Sequence, residues 1–231
     1  ELAHELKAAS RFAVDTETTG LDTMRDRLVG LSFCCDQDRA WYVPVGHEGF
    51  DSLGQMEWDH VRAILGPILE DPRVGKTGQN LKFDLKVLSR HGVELHGIEG
   101  DTLLADTLLS PDRRSHRLDE LALVHLGHKM IPYSDTVAKD STFASVPLET
   151  ARDYAAEDAH VTWLLDSKLS EQIEKEGLSE LYAGVEVPLM SVLAGMEMRG
   201  IAVDKARLNE FSSELAEGIA EAEKRCHHFA E

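Results

Sequence analysis

Only three cysteines stand in the 231 residues: Cys34, Cys35 and Cys226. Two are adjacent within an apolar run, so an extended chain points them to opposite faces. They offer neither a disulfide framework nor a zinc spacing, and a reducing cytoplasm suits this usage. No run of about 18 apolar residues occurs, so no transmembrane helix is expected, and no segment has the layout of a signal peptide. Internal repeats and low-complexity tracts are missing too. Positive charge is scarce: 24 Lys and Arg against 42 Asp and Glu leave a net charge of −18. That balance excludes a duplex-DNA binder that works by bulk charge. It leaves room for an enzyme whose metal ions neutralise its site, or whose main nucleic-acid surface lies on other parts. The chain opens on Glu1 rather than Met, which reads as a piece of a longer protein. Its length suffices for one large or two modest domains.

What is present starts at residue 11. The apolar run Phe12-Ala13-Val14 leads into Asp15-Thr16-Glu17. In an extended chain residues i and i+2 share a face, so Asp15 and Glu17 project together from the end of a strand. Two carboxylates side by side repel, and burial raises that cost. A hard divalent cation such as Mg2+ or Mn2+, which prefers oxygen ligands, would relieve it. Alone, the tripeptide reads equally as two solvated acids at a strand-to-turn junction.

Periodicity orders the rest. Residues 2–9 read as a helix and 11–15 as a buried strand. Residues 27–36 and 39–45 read as a hairpin about Asp36-Gln37-Asp38. Val61, Ile64, Leu65, Ile68 and Leu69 give 57–70 a helical spacing, which Asp71-Pro72 ends. Residues 73–77 suggest a short strand. Gly75-Lys76-Thr77 is not a P-loop ending, because Glu70 stands where that pattern needs glycine. A helix is expected over 80–90 with Asn80 as N-cap, followed by helices over 101–109 and 117–126. Residues 131–147 read as a polar loop and 148–176 as a long helix. Beyond Gly177, a helix spans 178–199 with Pro188 as start or kink, a turn and strand span 200–204, and a charged amphipathic helix spans 205–230. Strands first and helices around them make an α/β domain with a mixed sheet.

Two further acids stand out. Asp84 lies four residues after Asn80, and Tyr154 shares a helix face with Asp158 one turn on. Asp-Thr-Glu, then Asn80-Leu81-Lys82-Phe83-Asp84, then Tyr154-Ala155-Ala156-Glu157-Asp158, in this order, resembles the 3′–5′ exonucleases with four acidic residues and a tyrosine. Gly78-Gln79-Asn80 before the second motif, and Glu186-Val187-Pro188-Leu189 and Met196-Glu197-Met198-Arg199-Gly200-Ile201-Ala202-Val203-Asp204 after the third, are similar to the proofreading domain and thumb entry of the bacterial family-A enzymes, the DNA polymerase I family. The resemblance covers essentially the whole chain.

The resemblance implies a ribonuclease-H-like mixed sheet flanked by helices over 1–176, followed by a partial helical thumb segment over 177–231. It implies a monomeric exonuclease acting on a single-stranded DNA 3′ end, with no membrane partner and two divalent metal ions, Mg2+ or Mn2+. Asp15 would bridge both ions, Glu17 and Asp158 would hold the one beside the attacking water, and Asp84 the one beside the leaving oxygen. Tyr154, with Glu17, would orient the water. Leu21, Gln79, Asn80 and Phe83 would contact substrate; Leu21 reads equally as a core contact. Asp153 precedes Tyr154, so the tyrosine class fits rather than its histidine sister. Asp101 rivals Asp84 as the fourth carboxylate, although N-capping explains it as well. Lys76, Lys82, Lys86 and Arg90, with Arg113, Arg114 and Arg117, are candidate strand-steering charges or simply solvated ones. His125 with His128, His227 with His228, and His160 are expected to hold no metal. Two alternatives are a ribonuclease D-type exoribonuclease, which shares the three motifs, and a catalytically silent scaffold of a polymerase.

Overall fold

Alternating side chains along residues 11–18 build the central strand of the computed structural model, which describes residues 1–49 and 54–230. Strand β1 (Arg11–Thr18) runs beyond the expected end at 15, so both acids lie inside a paired strand. It pairs antiparallel with β2 (Leu28–Cys34), which pairs antiparallel with β3 (Ala40–Pro44). On its other side β1 pairs parallel with β4 (Gly75–Gly78), and β4 with β5 (Ile98–Asp101). The order β3-β2-β1-β4-β5 is a mixed sheet, as expected, with one strand, β5, in a stretch where the sequence has no strand period.

Helices cover both faces. They are α1 (Leu2–Ala8), α2 (Trp58–Leu69), α3 (Leu81–Arg90), α4 (Thr102–Leu109) and α5 (Leu118–Leu121), which continues as a π-helical turn over Ala122–Leu126. Then come α6 (Tyr133–Thr136), a 3-10 turn at Phe143–Ser145 and the long α7 (Leu148–Lys175). The segment 131–147 is therefore no plain polar loop: Phe143 and Ala144 are fully buried and form a small core with Val29, Ala151 and Ala155. Apolar burial recruits this stretch despite its polar neighbours. Helix α7 crosses the sheet on a stripe of small residues, Ala151, Ala155 and Ala159, each with no exposed surface. Ala159 meets Ala13 and Cys34 directly. Small side chains let the helix axis come close, and this brings Tyr154 and Asp158 to β1. Lower on α7, buried Asp166 pairs with Arg11 at 2.9 Å and accepts from Thr77 Oγ1 at 2.8 Å. Gly100 makes room for it: a Cβ there would sit 2.4 Å from Asp166 Oδ1.

Asn80 occupies the N-cap position of α3 but does not cap it. Its backbone is left-handed (φ 57°) and its side chain makes no capping bond. Asp101 does that work: its Oδ2 accepts from the Leu81 amide of α3 at 2.7 Å and its Oδ1 from the Leu104 amide of α4 at 3.0 Å. One buried carboxylate thus caps two helices, so Asp101 is a structural residue. Lys76 is also not a surface charge. It is fully buried, donates to the Asp71 carbonyl, and burial brings its ammonium down to about 8.

After α7 come α8 (Ser179–Leu181), a second π-helical turn (Tyr182–Glu186) and α9 (Val187–Arg199). Ser179–Arg199 is, among the described residues, long and apolar enough to cross a membrane by length and composition, with a mean hydropathy of 1.2. Charged and small residues interrupt it, so it contains no unbroken apolar run. Tyr182, Val187, Met190 and Ala194 are buried in the main core, and Glu197 pairs with Lys82 and Lys86 of α3. Of the segment's apolar window, 22% is buried in the protein.

The chain divides into two compact units, 1–198 and 199–231. In the second, residues 201–204 form no strand, since they have no ladder partner among the described residues. Helix α10 (Lys205–Ala230) follows, exposed along its length, with Asp204 Oδ1 accepting from the Arg207 amide at 3.0 Å.

Candidate active site

Strand β1 and helix α7 meet at three acids. Asp15 and Glu17 project from one face of β1, and Asp158 comes from α7; their oxygens lie within 4.8 Å of one another. Asp84, on the first turn of α3, is buried beside them. Its Oδ1 accepts from the amide and hydroxyl of Thr16 at 3.0 and 2.5 Å. It stands outside the three-oxygen group but within reach of its charge.

The electrostatics are those of carboxylates held together against their repulsion. Burial pushes Asp15 up to about 7. Glu17 is raised well above the carboxylate range by burial and then by Asp15, Asp158 and Asp84. Asp158 is raised by burial, Asp15 and Glu157, while a hydrogen bond with Tyr154 pulls the other way. Asp84 is raised by burial and Asp15, offset in part by Thr16. Glu17 Oε1 is buried with no hydrogen-bond partner among the described residues. An orphaned carboxylate oxygen among converging acids fits a hard divalent cation. A second group, Glu5, Cys35 and Asp36, is already neutralised by Arg39 at 3.2 Å from Glu5 and 3.5 Å from Asp36.

Tyr154 lies one helical turn before Asp158. Burial, then the Asp158, Glu17 and Asp15 charges, raise its phenol further, so it stays neutral. Its ring is set by Phe143 at 5.8 Å and Tyr133 at 6.1 Å. Behind Glu17, its register partner Gly30 leaves space for Tyr42: a Cβ at Gly30 would fall 2.2 Å from the Tyr42 hydroxyl. That hydroxyl lies 2.6 Å from Nε2 of buried His47.

A groove of about 860 Å³ opens at Tyr154 and Asp158, with Gln79, Asn80, Arg114 and Tyr133 among its lining residues. Gln79 is committed to the protein. Its amide donates to the His116 carbonyl at 2.8 Å and its carbonyl accepts from the Thr102 hydroxyl. Asn80 is exposed on the rim. Leu21 is 91% exposed just past β1, which rules out the core-contact reading. Phe83 is half-buried against the main core and does not line the groove. Among the basic candidates, Lys82 and Lys86 are held by Glu197, and Arg90 by the carbonyls of Thr23 and Asp26. Arg113 pairs with Asp106 and Arg117 with Asp119, whereas Arg114 has no partner among the described residues. His125 and His128 bind Asp106 and Glu157, and His160 the Gln37 carbonyl. Tyr133 escapes the sequence reading because its segment has no periodicity; only the third dimension brings its ring to Tyr154.

The same fold occurs in solved nucleases and polymerases. The POL domain of Pol1 from M. smegmatis superposes with a TM-score of 0.77 at 24% identity, covering 96% of this chain and 34% of that one. Brucella melitensis NrnC superposes at 0.67 with 20% identity, covering 86% and 89%. The mixed sheet and its flanking helices have the fold of these solved structures. A family model described as 3′–5′ exonuclease matches residues 1–174, and the chain belongs to that family. The DNA polymerase I of Pseudomonas aeruginosa is 37% identical over 232 residues, covering 98% of this chain. The chain spans about a quarter of that relative's length.

Proposed function

We propose that this chain is the proofreading portion of a DNA polymerase I, a 3′–5′ exonuclease that releases 5′-mononucleotides from a single-stranded DNA end. The observation that carries the reading is the convergence of Asp15, Glu17 and Asp158 within 4.8 Å, with buried Asp84 held beside them by Thr16. The proposal takes residues 1–176 as the exonuclease domain and 177–231 as the start of the polymerase thumb, in a monomer. The whole-chain match to polymerases supports this over an exoribonuclease, although NrnC, which shares the fold, has been solved bound to pGG.

The donor set would hold two divalent ions, Mg2+ or Mn2+; NrnC has been solved with bound Mg2+. Asp15 would serve both ions, Glu17 and Asp158 one, and Asp84 the other. Bound ions would supply the positive charge that a phosphodiester needs before an anion or water can attack it. The chain's own groups do the rest. Tyr154 is a neutral phenol, so it donates and accepts rather than acting as a base. With Glu17 it would hold the attacking water in line with phosphorus. The water oxygen bonds to phosphorus and gives up its proton to solvent, and the bond from phosphorus to the 3′ oxygen of the preceding nucleotide breaks. That oxygen takes a proton from solvent to become the new 3′ hydroxyl, and the released nucleotide keeps its 5′ phosphate. Leu21 would press on the terminal base from its exposed turn, and Asn80 would touch the same nucleotide. Gln79 and Phe83 would act from behind, holding the groove wall and the start of α3.

Degradation of a 5′-labelled single strand with Mg2+ or Mn2+ tests this, beside EDTA and Asp15→Ala controls. A ladder shortening from the 3′ end that vanishes in both controls is expected. A folded, metal-binding wild type that leaves the strand intact would refute it. An RNA strand of the same sequence, degraded faster than DNA, would favour the exoribonuclease.

A further inference from the structure

Asp106 of α4 has no exposed surface and is outside the acid cluster of the active site. Its Oδ2 lies 2.9 Å from Arg113 Nε and 2.6 Å from His116 Nδ1; its Oδ1 lies 2.8 Å from His125 Nε2. A carboxylate can only accept, so each imidazole turns an N–H toward it. Buried charge persists where it is paired. Here all the pairing goes to one stretch, the turn between α4 and α5 and the π-helical turn after it.

That stretch walls the groove with Arg114, Ser115, His116 and Arg117. Three arginines within five residues repel one another. Asp106 draws Arg113 inward and Asp119 takes Arg117 at 3.1 Å, which leaves Arg114 unpaired among the described residues and exposed on the groove side. The wall also connects to the second motif, because the His116 carbonyl accepts from Gln79, next to Asn80.

We propose that Asp106 is a positioning residue for substrate. It holds the 113–117 wall, and with it Arg114 and Gln79, in the form that receives the strand upstream of the scissile phosphate. It therefore sets affinity for a strand and not the rate of the chemical step, since preorganising a charged loop lowers what binding must spend on ordering it. The inference rests on the exonuclease reading of the groove.

The test compares wild type, Asp106→Asn and His125→Gln on two substrates: a short oligothymidylate, and thymidine 5′-(p-nitrophenyl phosphate), which carries one nucleotide and no strand beyond it. Asp106→Asn should raise KM for the strand about three- to tenfold, the worth of one or two hydrogen bonds. Its kcat and its rate on the small ester should stay within about twofold of wild type. His125→Gln, which removes one bond and lies off the groove, should move KM the same way by less. Equal slowing on both substrates, or an unchanged strand KM in both folded variants, would overturn the proposal. If wild type hydrolyses neither substrate, the exonuclease reading fails by itself. Fluorescence anisotropy of labelled oligothymidylate then decides the wall: equal affinity for wild type and Asp106→Asn overturns it, and weaker affinity in the variant supports it.

Discussion

Asp84 is held by Thr16, the residue between the two acids of β1: its Oδ1 takes both the Thr16 amide, at 3.0 Å, and the Thr16 hydroxyl, at 2.5 Å. The strand thus uses one face to present Asp15 and Glu17, and its own backbone and hydroxyl to fix the acid of α3.

Replacing Thr16 by Val keeps the β-branched shape and removes the hydroxyl. The Thr16 bonds lower the proton affinity of Asp84, so the variant should hold its proton more tightly. Metal affinity should fall on the order of tenfold, as when ligand-orienting partners are removed. Calorimetric titration with Mn2+ against wild type measures it.

Metal-free protein should become less stable as pH rises from about 4 to about 7. Asp15 is raised from 3.8 to about 7, and Glu17, Asp84 and Asp158 are raised as well. In that window the folded state binds more protons than the unfolded one, so stability falls with pH. Melting curves in EDTA across this range should show a falling Tm, and added Mn2+ should reverse the trend at the upper end.

Tyr154→Phe removes one hydroxyl and keeps the ring that packs on Phe143. The fold and KM should hold while kcat falls on the order of a hundredfold. Single-turnover hydrolysis of a labelled strand separates this from a binding defect.

Asp101→Ala removes the cap of α3 and the cap of α4 together. At about 1 kcal/mol for each cap, urea denaturation should show a loss of about 2 kcal/mol. Mn2+ affinity in the remaining folded protein should be unchanged. A loss of metal binding would return Asp101 to the set of ligands.

Much of the site is legible at short range. Strand alternation puts Asp15 and Glu17 on one face, and one helical turn puts Tyr154 over Asp158. Neither pattern says that the two pairs meet; the family resemblance carries that, and the Ala155 and Ala159 crossing of α7 over β1 and β2 accomplishes it. Asp101 is ambiguous in sequence because a cap and a ligand require the same residue type. Its assignment depends on the N-termini of α3 and α4, at Leu81 and Thr102, converging on one carboxylate. Lys76 looks like a surface charge because nothing local announces that β4 is covered on both faces. Residues 131–147 look like a loop because their buried apolar residues, Val137, Phe143, Ala144 and Val146, follow neither a strand nor a helix period.

The sequence by itself determined strands β1 to β4, most of the helices, the α/β class and the identity of the candidate acids, because these depend on the periods of strand and helix and on residue chemistry; β5, α6 and the absence of a strand at 201–204 depend on long-range pairing and burial. Only the tertiary structure decided which acids share a site, which basic residues are already paired and which tyrosine rings face the groove. Those are relations between residues tens of positions apart, and they arise from how α7, α3 and the 113–117 turn pack on one sheet.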